Sequence, residues 1–112
     1  MNIIHKELAA GRWFELSLAE QLANIGSEVH RCIMWLNKNE TRFNSAIDRT
    51  LELFDLTLSD KRWTGRYKEI CRSRELFCSL IFEGNKFPDR LNELKSLDNY
   101  FMHFAILARN KK

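Results

Sequence analysis

The stretch "SLAEQLANIGSEVHRCIMWL", residues 17–36, decides the fold. Leu18, Leu22, Ile25, Val29, Cys32 and Leu36 step by four, three, four, three and four, so they line one face of a helix. Ser17 and Glu20 supply a capping box at its start, in which each side chain accepts the other residue's free backbone N–H. Beside the main stripe, Ala19, Ala23 and Gly26 form a row of small residues. Such a row allows another helix to approach closely, inside a bundle or between subunits. The polar run "NKNET", residues 37–41, stops the segment.

The same period recurs downstream. Phe43, Ile47, Leu51, Phe54 and Leu58 predict a second helix over about 41–58, with Ser59 and Asp60 as its stop and the next N-cap. A third helix is expected over about 62–83, closed by Gly84 and Asn85 as a left-handed cap. The loop "EGNKFPD", residues 83–89, holds the one proline. Leu94, Leu97, Phe101, Phe104 and Ala108 predict a fourth helix from near Ser96 to near Arg109. No segment alternates with period two, so no strand is expected. The first two connections are short, which makes neighbouring helices antiparallel. The predicted fold is all-α: an antiparallel up-down-up-down four-helix bundle in a single domain over residues 1–112. An N-terminal segment should pack on it through Trp13 and Phe14.

A chain of 112 residues can bury a sizeable core without disulfides or metals. Hydrophobic residues at 45% and charged residues at 29% describe a globular domain rather than a disordered one. Apolar runs stop at about five residues, against the roughly 20 that span a bilayer. The start "MNIIHKELAAGRWF" lacks a signal-like apolar core, and the three cysteines cannot all pair within one chain. Both features point to free thiols and a cytoplasmic location, with no membrane partner. The net charge of +3 is unevenly spread. Residues 1–60 hold 6 basic and 9 acidic side chains, a net −3, whereas residues 61–112 hold 12 and 6, a net +6. Such polarity suits an acidic partner, a second copy of the chain, or attraction between the two halves.

The basic excess is concentrated in "KRWTGRYKEICRSRELF", residues 61–77. On a wheel at 100° per residue, Trp63, Tyr67, Ile70, Phe77, Cys78 and Ile81 share an apolar side, with Cys71 and Phe82 at its edge. Lys61, Lys68 and Arg72 lie opposite, and Arg62 and Arg66 flank the apolar side. Lys61, Arg62, Arg66, Lys68 and Arg72 are therefore the candidates for contact with nucleic-acid phosphates. A solvated helix face is the plainer account of the same charges. Arg74 falls in the middle of the apolar side. A buried guanidinium needs a carboxylate, so Arg74 is expected to be largely buried in a structural ion pair with Asp55 or Asp48, with Glu28 as a further possibility. Leu56, Met102 and Ile106 fall on faces that should be polar and are the candidate interface residues.

Other chemistry lacks its residues. No CxxC or HxxxH pair provides metal-ligand spacing, and the cysteines lie on or beside apolar stripes. No phosphate loop, glycine-rich fingerprint, EF-hand loop or nucleophile–His–acid pattern occurs. No catalytic residue, metal or cofactor is expected.

The segments "SLAEQLANIGSEVHRCIMWLNKN", "ELFDLTLSDKRWTGRYKEICRSRELFC" and "YFMHFAILAR" resemble a family of small uncharacterised prokaryotic all-helical proteins. The architecture is also similar to HEPN-type four-helix bundles, which include RNA-cleaving toxins and non-catalytic relatives. The nuclease branch carries an arginine four to six residues before a histidine. Neither His30 nor His103 has such a partner, so the resemblance implies a non-catalytic member. The expectation is a non-enzymatic cytoplasmic bundle acting through protein–protein association, as a homodimer or an accessory subunit. The alternative is an RNA- or DNA-binding accessory protein that uses the basic face of the third helix.

Overall fold

The computed structural model describes residues 11–110. The fold is all-α with four helices, and the described residues contain no strand. A 3-10 turn at Arg12–Glu15 leads into α1 (Leu18–Trp35) and α2 (Glu40–Leu58). A second 3-10 turn, Lys61–Arg66, precedes α3 (Tyr67–Phe82), and a third, Gly84–Lys86, separates it from α4 (Arg90–Asn110).

The capping box at α1 is present in full. Glu20 N donates to Ser17 Oγ at 3.1 Å, and Ser17 N donates to Glu20 Oε1 at 3.0 Å. Asn37 turns the chain with a left-handed φ of 62°. Asn39 then caps α2, its Oδ1 accepting from Arg42 N at 3.0 Å.

The third helix differs from its expectation. Asp60 caps the segment by accepting from Arg62 N at 3.1 Å, and Trp63 takes a non-helical conformation (φ −101°, ψ 20°). Residues 61–66 therefore wind as a 3-10 turn, near 3 residues per turn, before the α-helix begins. Within α3 the buried face is centred on Ile70, Phe77, Leu80 and Ile81, to one side of the apolar side drawn on the wheel. Trp63 is half-buried against the core, but Tyr67 is 51% exposed rather than a core aromatic. Phe82 is exposed as well, and Leu80 takes a fully buried position on α3 that the wheel did not assign.

The closure of α3 is also different. Gly84 has no positive φ and belongs to a 3-10 turn. The open carbonyls of α3 are met instead by the Arg90 side chain, whose Nε donates to Leu80 O at 2.7 Å and Nη2 to Ile81 O at 3.0 Å. A Cβ on Gly84 would come within 2.4 Å of that guanidinium, so glycine makes room for the cap. The fourth helix starts at Arg90 rather than near Ser96, directly after Pro88 and Asp89.

Phe54 of α2 sits at the centre of the core. Its ring lies 6.2 Å from Phe77 of α3 and 5.9 Å from Phe101 of α4. Trp13 is fully buried and Phe14 packs beside it, so the segment before α1 joins the core. α1 packs most closely on α2 and α4. Gly26 permits the second of these contacts, because a Cβ there would come within 2.4 Å of Phe101 Cβ. The small-residue row is thus used inside the bundle at Gly26.

Candidate functional site

Polar and exposed apolar groups gather at the basic strip, at a polar clasp at the start of α1, and in a groove between α1 and α4.

The basic strip divides into tied and untied charges. Arg62 donates from Nε and Nη2 to Asp60, at 3.0 and 2.7 Å, and from Nη2 to Leu16 O at 2.7 Å. Its guanidinium also lies 4.4 Å from the centre of the Trp63 ring. Arg66 donates to Glu69 at 2.8 and 3.2 Å, and Tyr100 Oη donates to the same carboxylate at 2.5 Å. Those bonds tie α3 to α4. Hydrogen bonds from Arg66 and then Tyr100 hold the Glu69 carboxyl below its ordinary pKa, while burial, helped by Glu69, pushes the Tyr100 phenol up to about 12. Lys61, Lys68 and Arg72 are exposed and make no ion pair among the described residues.

Arg74 pairs with Asp55, Nε to Oδ1 at 3.0 Å, and Asp48 is exposed elsewhere on α2. The pair is not buried. Arg74 keeps 33% of its side chain exposed and Asp55 keeps 62%, because the buried face of α3 is centred on Ile70, Phe77, Leu80 and Ile81 and Arg74 lies at its margin. The expected pair with Asp55 is present and bridges α2 and α3, but it is corrected from a largely buried pair to one in which Arg74 is half-buried and its carboxylate partner exposed.

The clasp was not foreseen. Gln21 is fully buried on α1 and makes three bonds: Nε2 donates to Trp13 O and to Asp60 Oδ2, each at 3.0 Å, and Oε1 accepts from Trp63 Nε1 at 3.0 Å. Trp13 Nε1 donates to the buried Thr57 Oγ1 at 3.1 Å. The Arg62 hydrogen bonds are the main reason that Asp60 titrates at about 2 rather than 3.8, with the bond from Gln21 adding to them. This group joins the first turn, α1, α2 and the second turn. Its only sequence signal was one glutamine next to Leu22 on the core side of α1.

The groove runs between α1 and α4 and encloses about 330 Å³. Gly26 and Phe101 are buried at its base, and Ala23 and Ala105 extend it. Met34 and Met102, 47% and 51% exposed, stand on its two sides. Ile106, one turn past Met102 on α4, is 47% exposed and continues the apolar row. His30 of α1 meets Asp98 of α4 across the groove, Nδ1 to Oδ2 at 3.1 Å. Leu56, expected with this set, is half-buried against the core on α2 and does not belong to the groove.

The cysteines sit in packing positions. Cys32 is buried near Thr50 Oγ1, at 3.7 Å, and burial raises its thiol pKa to about 11. Burial also raises Cys78, which with Cys71 is half-buried on α3. Both effects work against a reactive thiolate at neutral pH. Among the described residues, no three His, Cys, Asp or Glu side chains converge as a metal site. None of the described helices is long and apolar enough to cross a membrane. Comparison with protein-family models, curated proteins and solved structures returned no match.

Proposed function

We propose that this protein is a non-enzymatic cytoplasmic bundle that works by association, and that its α1/α4 groove receives a second copy of the chain. The observation that carries this reading is the groove itself, with Met34 and Met102 on its sides and Ile106 continuing the row. Exposed thioethers beside a groove floored by small residues form an adaptable apolar surface. The groove has room for a side chain of the kind exposed on its own rim, which is what an isologous two-fold contact requires. Charge supports the same occupant. α1 itself carries Glu20, Glu28 and Arg31, a net −1, and α4 carries Arg90, Lys95 and Arg109 against Glu93 and Asp98, a net +1, so charge weakly favours a two-fold pairing that sets each copy's α1 beside its partner's α4.

The nucleic-acid alternative loses two of its five residues to internal bonds, Arg62 and Arg66, and retains Lys61, Lys68 and Arg72. Light scattering after chromatography, at several concentrations and salt levels, tests the association reading. A mass rising toward twice 13.3 kDa with concentration supports it. A monomer at every concentration overturns it. A dimer whose formation ignores Met34 and Met102 substitutions places the contact elsewhere and also overturns the groove assignment.

A further inference from the structure

A second cleft lies between α1 and α2, and its lining is cationic. On α1, Arg31, Met34 and Trp35 are spaced as one helical face, and on α2 Arg42, Ser45, Ala46 and Arg49 are spaced as another. The two faces enclose about 480 Å³, and no carboxylate lines the space.

Three guanidinium groups gathered in one cleft repel one another, so their local partners decide what the cleft can do. Arg31 bonds the Oε1 of Glu28, a buried carboxylate one turn away on its own helix. Arg42 lies over the Trp35 ring at 4.7 Å from its centre. That stacking holds the guanidinium plane in place while leaving its N–H edge unspent, because a ring contact uses the face of the group and none of its donors. Arg49 is half-buried and has no hydrogen bond or ion pair among the described residues. Two of the three cations thus keep their donors, and the third is anchored from behind. Ser45 adds a hydroxyl to the same wall, and Ala46 keeps the floor small.

Planar guanidinium forks match the oxygens of a tetrahedral phosphate through paired, charge-assisted hydrogen bonds. The volume lies within the range of small-molecule sites and exceeds what a single orthophosphate fills. We propose that the α1/α2 cleft binds a phosphate-bearing ligand, a phosphate ester or a diphosphate, held by Arg31, Arg42 and Arg49. Arg42 and Arg49 of α2 lie outside the proposed association groove, whereas Arg31 and Met34 line both spaces.

The test follows the arginine Nε–Hε signals of the full chain by NMR, at low salt, during titration with inorganic pyrophosphate and, separately, a short single-stranded oligonucleotide. Saturable shifts of Arg31, Arg42 and Arg49 with pyrophosphate are expected. Arg49→Gln should weaken binding about tenfold, the loss of one charge-assisted partner. Arg109→Gln, at the exposed end of α4, should leave binding unchanged. Arg42→Lys keeps the charge but loses the stacked fork, and should weaken binding as well. Circular dichroism of each variant checks that the fold is retained. An oligonucleotide that shifts the same three signals and competes with pyrophosphate assigns the phosphate to a nucleic-acid backbone. One that leaves them unmoved while pyrophosphate binds assigns it to a small ligand. No saturable shift at millimolar pyrophosphate, or equal binding by wild type, Arg49→Gln and Arg42→Lys, would overturn the proposal.

Discussion

The clasp at the start of α1 and the groove farther along the same helix treat polarity in opposite ways. At the clasp, Gln21, Thr57 and Asp60 are buried, and they and the two indole N–H groups of Trp13 and Trp63 are joined by hydrogen bonds. At the groove, Met34, Met102 and Ile106 expose about half of their apolar surface. A buried network in which each group has a partner fixes one arrangement of the chain, since losing any member strands another. Exposed apolar surface does little for the fold of a single copy and gains free energy only when something covers it. The contrast teaches that the clasp should govern stability and the groove should govern association.

The largest effect should come from breaking the clasp through its biggest member. Trp13→Ala removes a fully buried indole and leaves Thr57 without its donor, and should cost about 3–5 kcal/mol in a urea melt. A loss under about 1 kcal/mol would mean that the segment before α1 is not part of the core.

Asp60→Ala comes next, at about 2–4 kcal/mol, because it strands a buried Gln21 donor and frees Arg62. The same residue predicts a pH dependence. Its folded pKa is lowered, so its contribution to stability is complete above about pH 4 and is lost as pH falls toward about 2. Melting temperatures of wild type and Asp60→Asn over that window should converge as pH drops. Parallel curves would show that the Asp60 carboxylate is not held ionised by Arg62.

Gly26→Ala sharpens the other side of the comparison. Alanine normally favours a helix over glycine by about 1 kcal/mol. Here the added methyl meets Phe101 Cβ at 2.4 Å, beside a buried ring, and overpacking should reverse the sign to a net cost of about 1–3 kcal/mol. A stabilised Gly26→Ala variant, read by thermal melting, would show that α1 and α4 are not in such close contact.

Arg74→Ala should cost under about 1 kcal/mol, since the Asp55 pair is largely solvated. A loss of several kcal/mol in paired urea melts with Arg72→Ala would restore the deeply buried ion pair that the helical wheel suggested.

The periodic stripes of α1 and α2 and the capping box at Ser17 were legible because each is local: every stripe lies within one continuous segment, and Ser17 and Glu20 are one turn apart. The junction at 61–66 was not. Its winding depends on Asp60 capping it and on Trp63 reaching Gln21, a residue 42 positions earlier. Within α3 the wheel counted Tyr67 and Cys78 on the apolar side and left out Leu80, so the core face lies to one side of where it was drawn and Tyr67 and Arg74 fall at its margin. The Arg90 cap of α3 is hidden in the same way, since a loop and a new helix separate donor from acceptor. Of the groove, Met102 and Ile106 were visible as apolar residues out of phase, but Met34 was hidden beside a long apolar stripe. The arginine cleft could not be read at all, because Arg31 and Arg49 meet only after α1 and α2 pack.

Sedimentation equilibrium of wild type beside the double variant Met34→Glu, Met102→Glu tests the central claim most directly. The account predicts a reversible dimer for wild type, a monomer for the variant at the same concentration, and a urea midpoint for the variant close to that of the wild-type monomer, because these side chains contribute little to the single-copy fold. A wild-type monomer at high micromolar concentration, or a variant that dimerises as strongly as wild type, would contradict it.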